Sequence, residues 1–137
     1  MTDSHADFIR RETIVAAPPL VPELKLHLAT EITPIWRASE AAPAPEGDDR
    51  PYWAVAWPGG QAIARHVLDD PALVAGRRVV DFAAGSGLAA IAAASSGADA
   101  EANDIDPVSA TAIALNAALN EVSLRISTDD LTDTPCR

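Results

Sequence analysis

Residues 79–88 read Val-Val-Asp-Phe-Ala-Ala-Gly-Ser-Gly-Leu. A β-branched run ends in an acid, passes through a turn of small residues, and opens an alanine-rich stretch of helical character. Glycine at 85 and 87 lets a backbone approach a ligand closely, because no Cβ intervenes. The helix behind it offers unpaired N–H groups at its start. Such a helix start suits a pyrophosphate. Asp81, however, sets a negative charge beside the turn, which disfavours phosphate and favours an amino group. An adenosyl amino acid bearing an ammonium therefore fits these residues better than NAD. A glycine-rich turn is by itself also an ordinary tight connection between a strand and its crossover helix.

Downstream, the pattern alternates strand and helix. Arg77 to Phe82 is a strand, Gly85 to Ser96 a helix closed by Gly97, and Ala98 to Asp104 a weaker strand. Asp106 and Pro107 start a second helix, as N-cap and first helical residue, which runs to Asn120. Val122 to Ser127 is a third strand. The β-α-β-α-β order predicts a parallel sheet with crossover helices. Asp104 then ends the second strand, about twenty residues beyond the first turn, where a carboxylate can accept both ribose hydroxyls. Ile105 beside it offers an apolar surface to an adenine face. Asp106 is read as a cap alone. Asn116 and Asn120, four apart on the second helix, are read as structural, bonding to a neighbouring loop.

Upstream, Gly60 to Asp69 reads as a helix with Ile63, Val67 and Leu68 on one face, behind a helix-opening turn at Gly59 and Gly60. Residues 40–50 (EAAPAPEGDDR) have linker composition. From Pro22 to Ser39, Leu24, Leu28, Ile32 and Ile35 or Trp36 recur at helical spacing, interrupted by Pro34. Thr13 to Ala16 is a short strand, and residues 1–11 are a polar tail. The division expected is an N-terminal arm with a Pro-rich linker over 1–50 and a ligand-binding domain over 51–137.

The chain has 137 residues, of which 48% are hydrophobic and only 4% aromatic, so the core must be built from small side chains. The net charge of −10 opposes nucleic acid as a partner and suits a cationic one. A single cysteine, Cys136, allows no internal disulfide. The start, MTDSHADFIRRE, lacks the apolar stretch of a secretion signal, and Leu88–Ala94 is too short to span a bilayer. No membrane association and a cytoplasmic location are expected. His5, His27 and His66 show no metal-ligand spacing, and no metal is expected.

The chain resembles the class I, seven-strand S-adenosylmethionine-dependent methyltransferases. Their acid-x-Gly-x-Gly-x-Gly motif here reads Asp81-x-Ala83-x-Gly85-x-Gly87, with Ala83 for the first glycine. Within that superfamily the chain is most similar to bacterial lysine methyltransferases of the kind acting on the electron-transfer flavoprotein β subunit, and to the related ribosomal-protein lysine methyltransferases. The likeness rests on residues 18–29, 51–65, 76–94, 104–117 and the Asp-Leu at 130–131. It implies a Rossmann-like α/β sheet with flanking helices, cut short after about the third strand, with an N-terminal helical arm. The strands should lie in the order three, two, one, with the first at an open edge.

The resemblance also implies S-adenosyl-L-methionine as cofactor, held by Trp57, Asp81, Ala83, Ala84, Gly85, Gly87, Asp104, Ile105 and Asp130. The protein partner would present an accessible lysine, as the electron-transfer flavoprotein β subunit does. Trp57 reads equally as a core aromatic, Asp129 and Asp130 equally as a surface pair, and Trp53 as packing. No Asp-x-x-Tyr-type motif, which the resemblance leads one to expect at the substrate lysine, follows Asp130, and no catalytic base is assigned. Two other readings use the same residues: a module that binds the methyl donor without transferring methyl, and a dinucleotide oxidoreductase fragment. Asp81 and Ala83 oppose the latter.

Overall fold

A computed structural model describes residues 4–30 and 50–135. Three parallel strands form its centre: β3 (Arg78–Phe82), β4 (Asp99–Asn103) and β5 (Arg125–Ser127), in the order β3-β4-β5. Among the described residues β3 pairs only with β4, so the first strand of the motif lies at an open edge, as expected. A separate antiparallel hairpin joins β1 (Ile14–Ala16) to β2 (Leu26–Leu28). Among the described residues the α-helices are α1 (His5–Glu12), α2 (Pro58–Asp69), α3 (Leu88–Ser95) and α4 (Pro107–Leu119).

The core against the sheet is rich in alanine. Ala90, Ala102 and Ile113 form one buried cluster under Ala84 and Ile126, while Val67, Ala93 and Ala100 form another with Val79. Alanine at these positions lets α3 lie close on β3 and β4, which it contacts directly. Val80 and Phe82 point the other way and are 54% and 57% exposed. The described helices thus cover one face of the sheet near β3, and an apolar face stays open beside it.

Helix α3 begins at Leu88, later than the expected Gly85, because Ala83, Gly85 and Gly87 all take left-handed backbone conformations (φ 56°, 57° and 79°). Gly97, at φ 89°, follows the helix as its expected terminator. Asp106 caps α4 by accepting from the Val108 N–H at 2.8 Å, with Pro107 at the first helical position. Beyond α4, Glu121 turns left-handed (φ 54°), and Val122 and Leu124 pack into the core ahead of β5.

Four expectations need correction. Residues 5–12 are a helix rather than a tail: Ser4 accepts from the Asp7 N–H, and Arg10 and Arg11 sit in the last turn, where cations oppose the helix dipole. That helix buries Ile9, and Phe8 packs edge-on to Trp53 with ring centroids 6.3 Å apart. Residues 26–28 are a strand rather than helix. Leu24 and Leu28 fit a helical spacing, but Leu24, Leu26 and Leu28 together alternate as a strand does, and pairing with β1 plus hydrogen bonds to Asn116 and Asn120 hold that outcome. The rest of that expected helix, from 31, and the linker expected at 40–49 lie outside the described residues. Ile63 is 56% exposed, and Gln61 occupies the buried position instead. Its amide is satisfied there, donating to the Ala56 carbonyl at 2.7 Å and accepting from the Leu20 N–H at 3.1 Å. Gly59 and Gly60 lie within the first turn of α2, not ahead of it.

The N-terminal segment is packed into the same core as the sheet. Val21, Leu24 and Leu26 share one buried cluster with Ala64 of α2, Leu88, Ile91 and Ala92 of α3, and Ala117 of α4.

Candidate functional site

A cleft of about 600 Å³ opens at the C-terminal ends of β3 and β4. In an open parallel sheet this is where ligands are bound, because the strand ends and helix starts converge there. Residues 83–86 of the bend border it, together with Trp57, Asp81, Asp104 and Ile105.

Asp104 ties the two strand ends together. Its Oδ2 accepts from the Gly85 N–H at 2.8 Å, and its Oδ1 accepts from the Asp106 N–H at 3.0 Å. Each oxygen keeps a further lone pair for an outside donor. The carboxylate is thereby fixed at the cleft before any ligand arrives. Asp81 lies behind the bend and accepts from the Ala90 N–H at 3.0 Å. Burial holds its carboxyl above the usual carboxylate range; the Ala90 hydrogen bond opposes this and the nearby Asp104 charge adds to it. Three acids, Asp81, Asp104 and Asp106, border the cleft against one cation, Arg50, so acids outnumber bases there, which suits a ligand carrying both an ammonium and hydroxyl donors.

The bend itself is shaped by packing as well as by access. A Cβ on Gly87 would lie 2.9 Å from Ile113 Cγ2, so glycine is required there for the close seating of α4. At Gly85 the nearest atom to such a Cβ is the Tyr52 carbonyl oxygen, at 3.6 Å, and the left-handed φ is the constraint. Ala83 holds a left-handed φ without being glycine, at a cost of about 1–2 kcal/mol. Ala84 packs below, its N–H donating to the Asn103 carbonyl at 3.0 Å.

Trp57 stands at the mouth, 46% exposed, its Nε1 donating to the Tyr52 carbonyl at 3.1 Å and its ring 5.9 Å from that of Tyr52. Ile105 is 70% exposed toward the cleft. Trp53 is buried against Phe8, although it also borders the cleft. Of the residues singled out in the sequence, Trp57, Asp81, Ala83, Ala84, Gly85, Asp104 and Ile105 line one cleft; Gly87 does not line it and packs against Ile113 instead. Asp130 does not line it. That carboxylate is exposed and accepts from the Thr132 N–H and hydroxyl, which hold its pKa below the usual value.

Sequence reasoning missed several residues. Tyr52, Ile63, Phe82 and Ser109 also border the cleft. Ser109 Oγ donates to the Gly85 carbonyl at 2.5 Å, and Asn116 Nδ2 donates to the Ser86 carbonyl at 2.8 Å. A signal was present: Ser109, Asn116 and Asn120 are polar positions along the inner side of a helix that is otherwise mostly alanine, leucine and isoleucine. Asn120 meets its expected structural role, bonding both the N–H and the carbonyl of Lys25. Among the described residues no cluster of three His, Cys, Asp or Glu could hold a metal, and no helix is long and apolar enough to cross a membrane.

Comparison with known proteins agrees with this geometry. Residues 66–135, just over half of the chain, match the ribosomal protein L11 methyltransferase (PrmA) family. The chain is 47% identical over 116 residues to the electron transfer flavoprotein beta subunit lysine methyltransferase of Xenopus laevis, covering 84% of this chain and 46% of that protein. It is 43% identical over 118 residues to the Homo sapiens protein of that name, covering 85% and 44%. A Caenorhabditis elegans homolog is 43% identical over 119 residues, covering 85% and 47%. The chain therefore spans about half the length of the curated relatives it matches. The motif at 81–87, its closure onto Asp104 and the match across α2 to β5 lead to one conclusion: the chain belongs to the PrmA family of methyltransferases.

Proposed function

We propose that this chain forms the S-adenosyl-L-methionine-binding half of a protein-lysine N-methyltransferase acting on the electron-transfer flavoprotein β subunit. The cofactor class follows the family, and the substrate follows the names of relatives at 43–47% identity. The observation that carries the cofactor reading is the hydrogen bond from the Gly85 N–H to Asp104 across 19 residues of chain, with Asp81 facing the same cleft.

The roles follow from the chemistry of each group. Asp104, already oriented by two backbone donors, would accept the ribose hydroxyls. Ile105 would cover one adenine face. Asp81 would meet the ammonium of the methionine moiety, which passes over Ala83, Ala84 and Gly85, with Gly87 holding the bend beneath. Trp57 would close the mouth. Asp130 sits outside the cleft, so the proposal does not rest on it. When bound, the sulfonium supplies a methyl carbon activated toward a neutral amine. This chain's own contribution is to orient the donor and to exclude water along the apolar walls of the cleft.

Calorimetric titration of S-adenosylhomocysteine into the purified chain tests this. Binding is expected, with Asp104→Ala weakening it at least tenfold. Equal affinity in that variant removes the ribose assignment, and thermal stabilisation by NAD alone replaces the methyl-donor reading with the dinucleotide one.

A further inference from the structure

The side chain of Asn116 is completely buried, and both ends of its amide are used by other segments. Oδ1 accepts from the His27 N–H of β2 at 2.8 Å, while Nδ2 donates to the Ser86 carbonyl at 2.8 Å. One turn further along α4, Asn120 donates to the Asn116 carbonyl at 2.8 Å. Two turns earlier, Ser109 holds the adjacent Gly85 carbonyl. Two successive carbonyls of the bend are thus gripped by side chains of one helix.

The bend needs such partners. Three of its five residues, Ala83, Gly85 and Gly87, are left-handed, so its carbonyls point away from the pattern of a regular strand or helix. A buried carbonyl without a donor would favour rearrangement. The amide of Asn116 has only one orientation that satisfies both neighbours: a strand N–H on its oxygen side forces its NH₂ toward the bend. β2 therefore orients Asn116, and Asn116 orients the bend.

We propose that Asn116 is a positioning residue for methyl-donor binding, through which the N-terminal hairpin sets the shape of the 83–87 bend. This rests on the methyl-donor reading above only for the ligand used to test it. Neither aspartate nor serine reproduces the pattern: aspartate keeps the acceptor for His27 but has no donor for Ser86, and serine has a single hydroxyl in place of the two-ended amide.

The test compares Asn116→Asp and the uncharged, smaller Asn116→Ser with Asn120→Ala in the full chain. Three quantities are measured: amide hydrogen exchange over residues 83–88 without ligand, S-adenosylhomocysteine affinity, and the unfolding midpoint. Both Asn116 variants are expected to speed exchange in the bend at least tenfold and to weaken binding at least tenfold. Asn120→Ala removes only the Lys25 pair and the bond to the Asn116 carbonyl; it is expected to lower the midpoint with affinity within twofold of wild type. The proposal is overturned if bend exchange in a folded Asn116 variant stays within twofold of wild type. It is equally overturned if losses in all three variants simply track the midpoint. Should wild type bind no S-adenosylhomocysteine, the methyl-donor reading fails, while bend exchange still decides the role of Asn116.

Discussion

The β3-to-β5 unit and the N-terminal segment at residues 4–30 obtain their structure in opposite ways. In the first, signals adjacent in sequence do the work. Glycines mark the bend, Asp106-Pro107 starts α4, and Gly97 ends α3. In the second, a short strand pairs with β1 on one side and, on the other, takes side-chain partners from about ninety residues away: Asn116 for His27, and Asn120 for Lys25 just ahead of the strand. The difference shows that the cleft is not the product of its local motif alone. A bend specified locally is held in shape by a helix that also anchors a segment specified remotely.

The largest expected effect bears on whether these regions are separable. Leu26 is fully buried among residues of α2, α3 and α4, so Leu26→Ala should cost about 2–5 kcal/mol. Denaturant unfolding followed by both tryptophan fluorescence and far-ultraviolet dichroism should still give one transition. Two separated transitions would mean that the hairpin is an appendage.

Within the cradle, two glycines should differ. Gly87→Ala meets the Ile113 branch at 2.9 Å and keeps a left-handed φ, for a loss of roughly 2–4 kcal/mol. Gly85→Ala has ordinary contact distances, so it should lose only the backbone preference, about 1–2 kcal/mol. Equal losses in the two variants would show that Ile113 yields freely and that packing does not set the bend.

Asp81 sharpens the contrast between stability and binding. Its folded pKa is raised above 3.8, mainly by burial, so its contribution to stability is present below that value and is lost as pH rises through the folded value. At neutral pH the ionised group is therefore a net cost. Asp81→Asn should leave the unfolding midpoint at pH 7 unchanged or higher while S-adenosylhomocysteine affinity falls. A variant that is less stable and binds as well as wild type would reverse the assignment.

The smallest effect belongs to the hairpin. Burial, helped by the nearby Arg10 cation, depresses the pKa of His27, whose Nδ1 lies 3.1 Å from Thr13 Oγ1. A depressed histidine contributes stability that is present above its unfolded value of 6.5 and is lost as pH falls through the folded value. Stability should decline on acidification below that point, and the slope should flatten in His27→Gln. An unchanged slope would move the titration elsewhere.

Much of the central unit was legible because its determinants are short-range. A β-branched run at Val79-Val80, an N-cap followed by proline, and glycines at required left-handed positions each act within a few residues. Asp81, Asp104 and Ile105 were legible as cleft residues for the same reason, since strand ends in a parallel sheet share one edge. Residues 24–28 were not legible, because the Leu24–Leu28 spacing continues a helical pattern while Leu26 between them fits only a strand, and partners outside the segment choose between the two. Nor was the buried role of Gln61, which depends on the nearby Ala56 carbonyl and on the Leu20 N–H, 41 residues away.

The sequence alone determined the strand-helix alternation, the bend and the two acids, since these follow from backbone sterics and from charge placed next to a turn. Tertiary structure alone decided that Asp104 closes on Gly85, that Gly87 serves Ile113, and that Asn116 joins β2 to the bend. Those outcomes depend on distances between segments remote in the chain, which no local pattern encodes.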